Sequence, residues 1–387
     1  MDLTKEQQEG LGIAVYRYKR GEKYSVIAGY AGTGKSTLVQ HIIAALGIPE
    51  LDVVYCAYTG KATLVLSRKG CKNTSTLHKL LYNARLNPKT GTFYFTPRYR
   101  LEYPYKIIVV DEVSMLSQEM WQLLLRHDAY VLALGDPGQL GPVKSDIDSG
   151  LLKNPHIFLK EIMRQAEGNE IIRLSMAIRA GEPLRDYHGS HVKIIPKEEL
   201  TTGMLTWADT ILCAKNETRH KLNAQVRELL GQGPEPEIGD KIICLKNYWE
   251  VLSAEQTPLV NGTIGYIAEI QKSYNPIIKT DVFIISFEDE IEELYSNIMI
   301  DAGLLLKNKS SLTKADYVRL TRNEQTRRYI PKEFAFGNAI TTWKAQGSEW
   351  DNVLLFEESF PWIEEDHRRY LYTGVTRASE KIVVVKK

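Results

Sequence analysis

The chain has 387 residues, of which 43% are hydrophobic and 25% are charged, and its formal net charge is +1. This composition is that of a globular protein with two or three domains, and it excludes membrane spans because no apolar run approaches the roughly 20 residues that cross a bilayer. The start MDLTKEQQEG resembles no secretory leader, and the four dispersed cysteines disfavour a disulfide framework or structural zinc. We therefore expect a cytoplasmic protein without a membrane partner.

Short apolar runs in the first half of the chain alternate with amphipathic segments such as KSTLVQHIIAAL and SQEMWQLLLRH. The runs are YSVIAG at 24–29, VVYCAYTG at 53–60, YKIIVVDE at 105–112 and YVLALGDPGQL at 130–140. Continuous apolar runs of this length are typical of strands that are buried on both faces. The alternation predicts an α/β domain with a doubly wound parallel sheet, whose ligands gather at the carboxyl ends of the strands.

The first run leads into the pattern G-x-x-x-x-G-K-[ST], which extends from Gly29 to Ser36. Backbone N–H groups of such a loop surround phosphates, while its lysine neutralises phosphate charge and its hydroxyl binds Mg²⁺. A chance glycine-rich turn would lack the strand before the loop and the helix after it. We therefore predict binding of ATP and Mg²⁺, with Lys35 also catalytic and Ser36 a metal ligand. The predicted nucleotide-binding residues of this segment are Gly29, Gly32, Thr33, Gly34, Lys35, Ser36 and Thr37.

Acidic and amide side chains follow the later runs. Asp111 and Glu112 come directly after IIVV, and adjacent side chains at a strand end diverge. Asp111 is predicted to hold the metal and Glu112 to activate the attacking water, which favours hydrolysis over phosphoryl transfer to a small molecule. Asp136 and Gln139 lie at the end of the run at 130–140. Gln139 either senses the γ-phosphate as a catalytic residue or belongs to the turn DPGQ.

Two further segments predict β-structure outside the parallel sheets. In 82–104, the turn signal NPKTG lies between two runs rich in Tyr, Phe and Thr, which indicates a β-hairpin. After the Gly- and Pro-rich linker at 231–240, the runs GDKIICLKN, LVNGTIGYIAEIQ and TDVFIISFED predict a small β-barrel. A helical segment at 313–329 follows. The acidic run EDEIEE at 288–293 is interpreted as a solvated edge.

The second half of the chain repeats the α/β pattern without a second phosphate loop. Its strand-like runs lie at 209–218, 338–349, 352–358 and 381–387. Two similar α/β domains are therefore expected, of which only the first carries the phosphate loop.

A set of motifs occurs in the order found in superfamily 1B DNA helicases, which the chain resembles over nearly its whole length, above all in the Dda-like and RecD-like branch. The motifs are LTKEQ, GYAGTGKST, AYTGKA, STLH, DEVSM, GDPGQL, IMRQ, TTWKAQGSE and YTGVTRAS. The resemblance implies an ATP-dependent helicase or translocase that moves 5′ to 3′ on single-stranded DNA. It also implies action at junctions between single and double strands, in a protein that works as a monomer.

The resemblance also implies a domain plan. Residues 1–160 would form RecA-like domain 1A, with the hairpin at 82–104 as a pin that splits the duplex. The alternative for its residues Phe93, Tyr94 and Phe95 is a hairpin packed on the sheet with buried aromatics. Residues 161–237 and 336–387 would form RecA-like domain 2A, and residues 238–335 an SH3-like insert, domain 2B. The fold class is therefore α/β, with two RecA-like parallel-sheet domains, a hairpin insert and a small SH3-like barrel.

Further nucleotide contacts come from the resemblance alone. Gln7 matches the glutamine that reads the adenine edge. Arg164 and Arg377 match the two catalytic arginines that the second domain offers to the γ-phosphate, and the ordinary alternative for either is a surface salt bridge. Gly347 and Glu349 would approach the nucleotide from the same side.

The implied nucleic-acid contacts lie in both α/β domains and in the hairpin. They are Thr59, Thr76, His78, Phe93, Phe95, Thr341, Trp343 and Lys344. The chain departs from the family at Tyr58, where Pro is usual, at Trp343, where His is usual, and at Ser379, often basic elsewhere. Trp343 either stacks on a base or belongs to a core.

Three functions remain open from the sequence. The first is the ATP-driven helicase or translocase on single-stranded DNA. The second is a P-loop kinase or non-motor ATPase, which would leave Arg377, the hairpin and the barrel without a role. The third is a module that binds or remodels single strands without unwinding them. RNA is a variant substrate, since stacking contacts do not exclude a 2′-hydroxyl.

Overall fold

The computed structural model describes residues 3–58, 60–68, 70–86, 93–141, 150–161, 168–254, 257–290, 292–307, 309, 312–321, 323, 326, 329–361 and 363–387. Within these ranges, every helix is too short or too polar to cross a membrane.

The first half of the chain forms a parallel sheet flanked by helices. Its strands are β1 (Tyr24–Gly29), β2 (Val53–Ala57), β3 (Thr74–Thr76), β4 (Tyr82–Leu86), β5 (Phe93–Pro97), β6 (Ile107–Val110), β7 (Tyr130–Gly135) and β8 (Ile157–Leu159). Its helices are α1 (Lys5–Lys19), α2 (Lys35–Leu46), α3 (Gly60–Arg68), α4 (Leu77–Leu81) and α5 (Gln118–Leu124). The first sheet has the order β3-β2-β6-β7-β1-β8, and all of its neighbouring strands are parallel. Strands β4 and β5 pair antiparallel as the predicted hairpin.

The second half contains a second sheet and an inserted third sheet. Its strands are β9 (Tyr187–His188), β10 (Val192–Pro196), β11 (Thr210–Cys213), β12 (Lys241–Cys244), β13 (Tyr248–Leu252), β14 (Pro258–Leu259), β15 (Ile264–Asn275), β16 (Thr280–Asp289), β17 (Leu294–Asp301), β18 (Phe334–Phe336), β19 (Ala339–Thr341), β20 (Trp350–Phe356) and β21 (Ala378–Lys386). Its helices are α6 (Glu170–Ala180), α7 (Thr202–Trp207), α8 (Asn216–Leu229), α9 (Ala302–Lys307), α10 (Lys314–Thr321) and α11 (Glu364–Val375).

The two sheets of the second half differ in kind. The second sheet has the order β19-β11-β20-β21-β10-β9, and only its edge strand β9 is antiparallel. The third sheet has the order β17-β16-β15-β12-β18 and is antiparallel throughout. The chain leaves the second sheet after β11, builds the third sheet and returns at β19. The α/β fold with parallel sheets is therefore confirmed, whereas the domain boundaries and an SH3-like barrel stay predictions.

The apolar runs form two-sided strands because successive side chains point to opposite faces. In β1, Val26 packs with Val54 and Ile108 on one face, while Ile27 packs with Leu38 on the other face. Both faces are thus removed from water. Polar groups are therefore confined to the strand ends. Because these strands are parallel, the carboxyl ends of β1, β2, β6 and β7 lie along one edge of the sheet.

A buried ion pair joins α8 to the start of the third sheet. The guanidinium of Arg227 donates to both carboxylate oxygens of Asp240, from Nε at 2.6 Å and from a terminal nitrogen at 2.9 Å. Asp240 is fully buried and Arg227 nearly so. The pair fixes the angle at which the chain enters the third sheet, just after the predicted linker.

We expect Asp240→Ala to destabilise the protein by about 3 kcal/mol, because Arg227 would remain buried without its counter-ion. Urea unfolding followed by circular dichroism measures the loss. Glu235→Ala is the control, since the Glu235 carboxylate pairs with Lys272 at the surface and should contribute little. Equal losses of unfolding free energy in the two variants would show that the buried pair stabilises the protein no more than the exposed pair does.

Candidate functional site

The phosphate loop connects β1 to α2. Gly32 and Gly34 have φ angles of 76° and 75°, a left-handed conformation that glycine adopts without strain. Helix α2 begins at once at Lys35. The loop therefore brings its N–H groups and the positive end of a helix to one place, as an anion site requires.

The Lys35 amine lies within this loop. Its Nζ donates to the carbonyl oxygens of Gly29 at 2.7 Å and Tyr30 at 3.1 Å. Ser36 and Thr37 follow in the first turn of α2, and Ser36 is exposed. Thr33 is buried, and its hydroxyl donates to the Tyr30 carbonyl oxygen at 2.8 Å. The loop thus supplies one cation and one exposed hydroxyl beside the helix end.

Two carboxylates follow strand β6. Asp111 accepts the backbone N–H of Glu112 at 2.9 Å, and Glu112 has a φ of 55°, which is uncommon for a residue with a side chain and clusters at functional sites. Withdrawal from bulk water, followed by the charge of Asp111, raises the pKa of Glu112 to about 7, against the opposing charges of Arg377 and Lys35. The two acids are therefore close enough to repel each other.

A cleft of about 740 Å³ lies between the first and second sheets. The first half of the chain contributes Gly32, Ser36, Asp111 and Glu112 to its walls, and the second half contributes Gly347, Glu349 and Arg377. These residues lie far apart in the sequence. The structure thus brings seven of the predicted nucleotide, metal and catalytic residues into one cavity with walls from both halves.

Arg377 is only 7% exposed and is held in this cleft by three hydrogen bonds. It donates to the carbonyl oxygens of Thr373 at 3.0 Å and Ser348 at 3.1 Å, and to the hydroxyl of Thr376 at 3.1 Å. A surface salt bridge, the alternative left open by the sequence, is not what the structure shows. The guanidinium is anchored by neutral oxygens, and its charge acts on Glu112.

The donor set in the cleft fits a hard divalent cation. The Ser36 hydroxyl and the Asp111 carboxylate both line the cavity, and oxygen donors of these kinds are the ligands of Mg²⁺. Asp111 raises the pKa of Glu112, so a cation beside Asp111 would offset that repulsion. The residues present therefore suit Mg²⁺.

Two predicted glutamines lie outside the cavity walls. Gln7 is buried; its Nε2 donates to the Thr33 carbonyl oxygen at 3.1 Å, and its Oε1 accepts the Thr4 backbone N–H at 2.9 Å. The amide oxygen of Gln7 thus caps α1, and its amide nitrogen holds the phosphate loop. Gln139 borders a smaller cavity of about 160 Å³ together with Ser114 and Arg369, and its Oε1 has no hydrogen-bond partner among the described residues. Their contacts with a nucleotide stay predictions.

The interpretation of the acidic run 288–293 as a solvated edge is wrong at Asp289, which is buried. Glu290 is exposed, but it forms ion pairs with two lysines. Its carboxylate pairs with Lys61 at 3.3 Å and Lys241 at 3.0 Å, and it accepts the indole N–H of Trp350 at 2.9 Å. Lys61 belongs to α3, Lys241 to the third sheet and Trp350 to the second sheet. Glu290 therefore joins three parts of the molecule at the far end of the cleft.

Sequence reasoning missed Tyr372. Its hydroxyl, on α11, accepts the N–H of Ala31 in the phosphate loop at 3.0 Å and donates to Asp136 at 2.7 Å. The signal is present in the sequence, since Tyr372 opens the motif YTGVTRAS, which also contains Arg377.

Comparisons with known proteins follow the same division of the chain. A family model described as an AAA domain matches residues 3–193, and one described as a UvrD-like helicase C-terminal domain matches residues 336–385. The ATP-dependent RecD2 DNA helicase of Deinococcus radiodurans is 27% identical over 98% of this chain. The ATP-dependent DNA helicase dda of Enterobacteria phage T4 is 31% identical over 37% of it. The predicted resemblance to superfamily 1B helicases is therefore confirmed.

The chain spans 49% of the RecD2 helicase and 34% of the Dda helicase. Solved Pif1 helicase structures share the fold over almost the whole chain. The Pif1 helicase from Candida albicans has a TM-score of 0.54 at 18% identity and covers 100% of this chain and 94% of its own. A Bacteroides Pif1 helicase in complex with ADP-AlF3 and single-stranded DNA has a TM-score of 0.56 at 15% identity, with coverage of 99% and 92%.

The superfamily 1B positions in the first half surround an aromatic cluster. The His78 ring stacks on Tyr82 at 5.9 Å between centroids and meets Tyr58 edge-on at 5.4 Å and Phe95 at 6.2 Å. Phe95 is 55% exposed, so one face of the cluster is open to a ligand. Thr76 is buried, and its hydroxyl caps α4 by accepting the Lys79 N–H at 3.2 Å.

Some predicted residues lie outside what the structure describes. Thr59 and Arg164 are among them, as is the side chain of Phe93, although Phe93 belongs to strand β5.

The superfamily 1B positions in the second half follow β19. Trp343 packs against Phe360 at 5.9 Å and stacks on Tyr370 at 6.3 Å between centroids, so it belongs to the second-sheet core. Thr341 is buried at the end of β19, whereas Lys344 is exposed. Although the residue as a whole is exposed, the protein around its amine partly desolvates it. This desolvation, and then the charge of Arg219, lower the pKa of Lys344 to about 8. Of these three side chains, Lys344 is the most accessible to a phosphate.

Proposed function

We propose that the chain is an ATP-driven helicase or translocase that acts on single-stranded DNA and at junctions between single and double strands. The observation that carries this proposal is the position of Arg377, buried in the same cleft as Asp111 and Glu112 although it comes from the other half of the chain. The charges in this cleft come from both halves of the chain, so their electrostatic interaction energy changes when the two halves separate. The names of the RecD2 and Dda relatives, both ATP-dependent DNA helicases, support the same reading.

In this proposal, the first sheet binds the triphosphate. The phosphate loop and α2 surround the phosphates with N–H groups, and Lys35 leaves the carbonyls of Gly29 and Tyr30 to neutralise them. Ser36 and Asp111 would hold Mg²⁺, which supplies charge neutralisation between the β- and γ-phosphates. Glu112 accepts the proton of the attacking water. Its position in the cleft, beside Asp111 and opposite Arg377, suits this role.

The second sheet completes the site in this proposal. Arg377 offers its guanidinium to the charge that develops on the γ-phosphate in the transition state. Gly347 and Glu349 approach from the same wall, Arg164 is proposed as a second arginine, and Gln139 as a sensor of the γ-phosphate. Binding of ATP then favours the closed cleft, and hydrolysis with release of phosphate removes that preference.

The strand is proposed to cross both α/β domains. The open face of the cluster around His78 and Phe95 suits stacking on bases without sequence preference, and Lys344 suits a phosphate. Thr59, Thr76 and Thr341 are proposed to contact the DNA backbone. The hairpin is proposed to act as the pin that splits the duplex, through Phe93 and Phe95. Trp343, held in the core, is proposed to shape the surface next to Lys344 rather than to stack on a base. The third sheet is proposed to be the SH3-like insert, and movement to run 5′ to 3′.

Unwinding of tailed duplexes tests the function. We expect ATP-dependent separation of a DNA duplex with a 5′ single-stranded tail, and little separation with a 3′ tail or a blunt end. A fluorophore and a quencher on the two strands report separation, and RNA-tailed duplexes test the sugar. ATP hydrolysis that ignores DNA would instead indicate a non-motor ATPase. Tail binding without separation would indicate a remodelling module.

A further inference from the structure

A tyrosine hydroxyl lies at the seam between the two halves of the nucleotide cleft. Tyr372 is on α11 in the second half of the chain and is only 1% exposed. Its hydroxyl donates to Oδ2 of Asp136, after β7, at 2.7 Å and accepts the backbone N–H of Ala31, in the phosphate loop, at 3.0 Å. Three functional segments thus meet at one oxygen atom.

Both partners depend on this hydroxyl. Asp136 is 2% exposed, and its other carboxylate oxygen accepts the Gly138 N–H at 2.8 Å. The Ala31 N–H belongs to a loop that must keep its donors aimed at phosphates. Its partner is a side chain of the opposite domain rather than a group of the loop itself. Removing the hydroxyl would leave a buried carboxylate with one donor fewer and the loop N–H without its acceptor.

The tyrosine ring is as constrained as its hydroxyl. A Cβ atom added at Gly138 would approach Cε1 of Tyr372 to 3.0 Å, so glycine is what allows the ring to pack against this turn. Two further bonds hold the same seam. The Leu140 N–H donates to the Thr373 hydroxyl at 2.9 Å, and Nε2 of Gln346 donates to the Leu140 carbonyl oxygen at 2.8 Å.

The helix that carries Tyr372 also places Arg377. Helix α11 ends at Val375, and Nε of Arg377 donates back to the carbonyl oxygen of Thr373. Tyr372 and Arg377 are therefore fixed to one helix end. A shift of that end relative to the phosphate loop would move the guanidinium by a similar distance.

We propose that Tyr372 is a positioning residue for ATP hydrolysis, whose hydroxyl fixes the helix end bearing Arg377 against the phosphate loop and Asp136. The inference rests on the proposed function of the cleft and adds to it the element that sets the approach of the arginine. Tyr372 touches no phosphate in this scheme. It acts through Arg377, so its removal slows turnover without weakening the binding of ATP.

The test compares two matched substitutions on one helix. Tyr372→Phe removes the hydroxyl that crosses the seam. Tyr370→Phe removes a hydroxyl that is equally buried but donates to the Phe356 carbonyl oxygen within the second sheet. We expect kcat for DNA-stimulated ATP hydrolysis to fall about 10-fold or more in Tyr372→Phe, with the KM for ATP changed less than about twofold. Tyr370→Phe should keep its kcat even if its Tm falls.

Two further measurements keep the proposal open to refutation. In a variant carrying Arg377→Lys, adding Tyr372→Phe should cost much less than it does in the wild-type chain, because residues that act as a unit are not additive. Hydrogen exchange at the Ala31 amide should be faster in Tyr372→Phe and unchanged in Tyr370→Phe. Equal kcat in the two Phe variants, or additive losses with Arg377→Lys, would overturn the proposal.

The amide measurement needs no turnover, so it separates this proposal from the proposed function. If the wild-type protein hydrolyses no ATP, the proposed function fails. Unchanged exchange at Ala31 in Tyr372→Phe would then refute the seam bond independently.

Discussion

Arg377→Ala is expected to lower DNA-stimulated ATP turnover by about 10³-fold, the lower end of what an arginine at a developing γ-phosphate charge supplies. The reason is the position of the guanidinium, which is buried in the cleft opposite the phosphate loop. Binding to a single-stranded oligonucleotide should largely survive. Steady-state hydrolysis and fluorescence anisotropy of a labelled oligonucleotide measure the two quantities.

Two controls make the Arg377 result specific. Arg377→Lys keeps the charge but loses the planar fork, so it should recover only part of the activity. Arg173→Ala removes an exposed arginine of α6 and should leave turnover unchanged. Because Arg377 also satisfies the carbonyls of Ser348 and Thr373, thermal unfolding must be recorded for each variant. A folded Arg377→Ala protein with normal hydrolysis would refute the assignment of the cleft.

The elements of the fold that sequence predicted are those set by local physics. The continuous apolar run YSVIAG predicts strand β1 at its full length, and helix α2 covers the predicted KSTLVQHIIAAL. Glycine accounts for both ends of that helix, since Gly34 and Gly47 have positive φ angles of 75° and 62°. The hairpin followed from a turn signal between two β-rich runs. Each of these features depends on neighbours in sequence.

The elements that sequence missed depend on partners brought by topology. Glu290 lies in a run of acidic residues that reads as solvent-exposed, and nothing nearby in sequence announces Lys61 or Trp350. Trp343 could have stacked on a base or joined a core until Phe360 and Tyr370 were placed around it. Tyr372 acquires its role only because α11 faces the phosphate loop. The type of a residue determines which contacts it can make, and the fold determines which partners it meets.

Glu112→Gln is expected to reduce the rate of ATP hydrolysis by about 10²- to 10⁴-fold, the contribution of a general base. Glutamine has nearly the same shape and can still orient a water molecule, but it cannot accept that water's proton. Its amide should also avoid the repulsion that Asp111 exerts on the Glu112 carboxylate. ATP should therefore bind at least as tightly as in the wild-type protein, and the bound, unhydrolysed state should accumulate. Single-turnover hydrolysis and binding of a fluorescent ATP analogue separate these two effects.

Asp351→Asn provides the matched control for Glu112, because Asp351 is another carboxylate that lines the same cleft. Its Oδ1 accepts a hydrogen bond from the Ser379 hydroxyl at the surface. Hydrolysis should therefore change less than about twofold in this variant. Loss of ATP binding in Glu112→Gln would mean that the residue holds the nucleotide or the metal instead. Retention of normal single-turnover rates would place the proton acceptor elsewhere in the cleft. A slow variant that still binds ATP and still binds single-stranded DNA would support Glu112 as the base that accepts the proton of the attacking water.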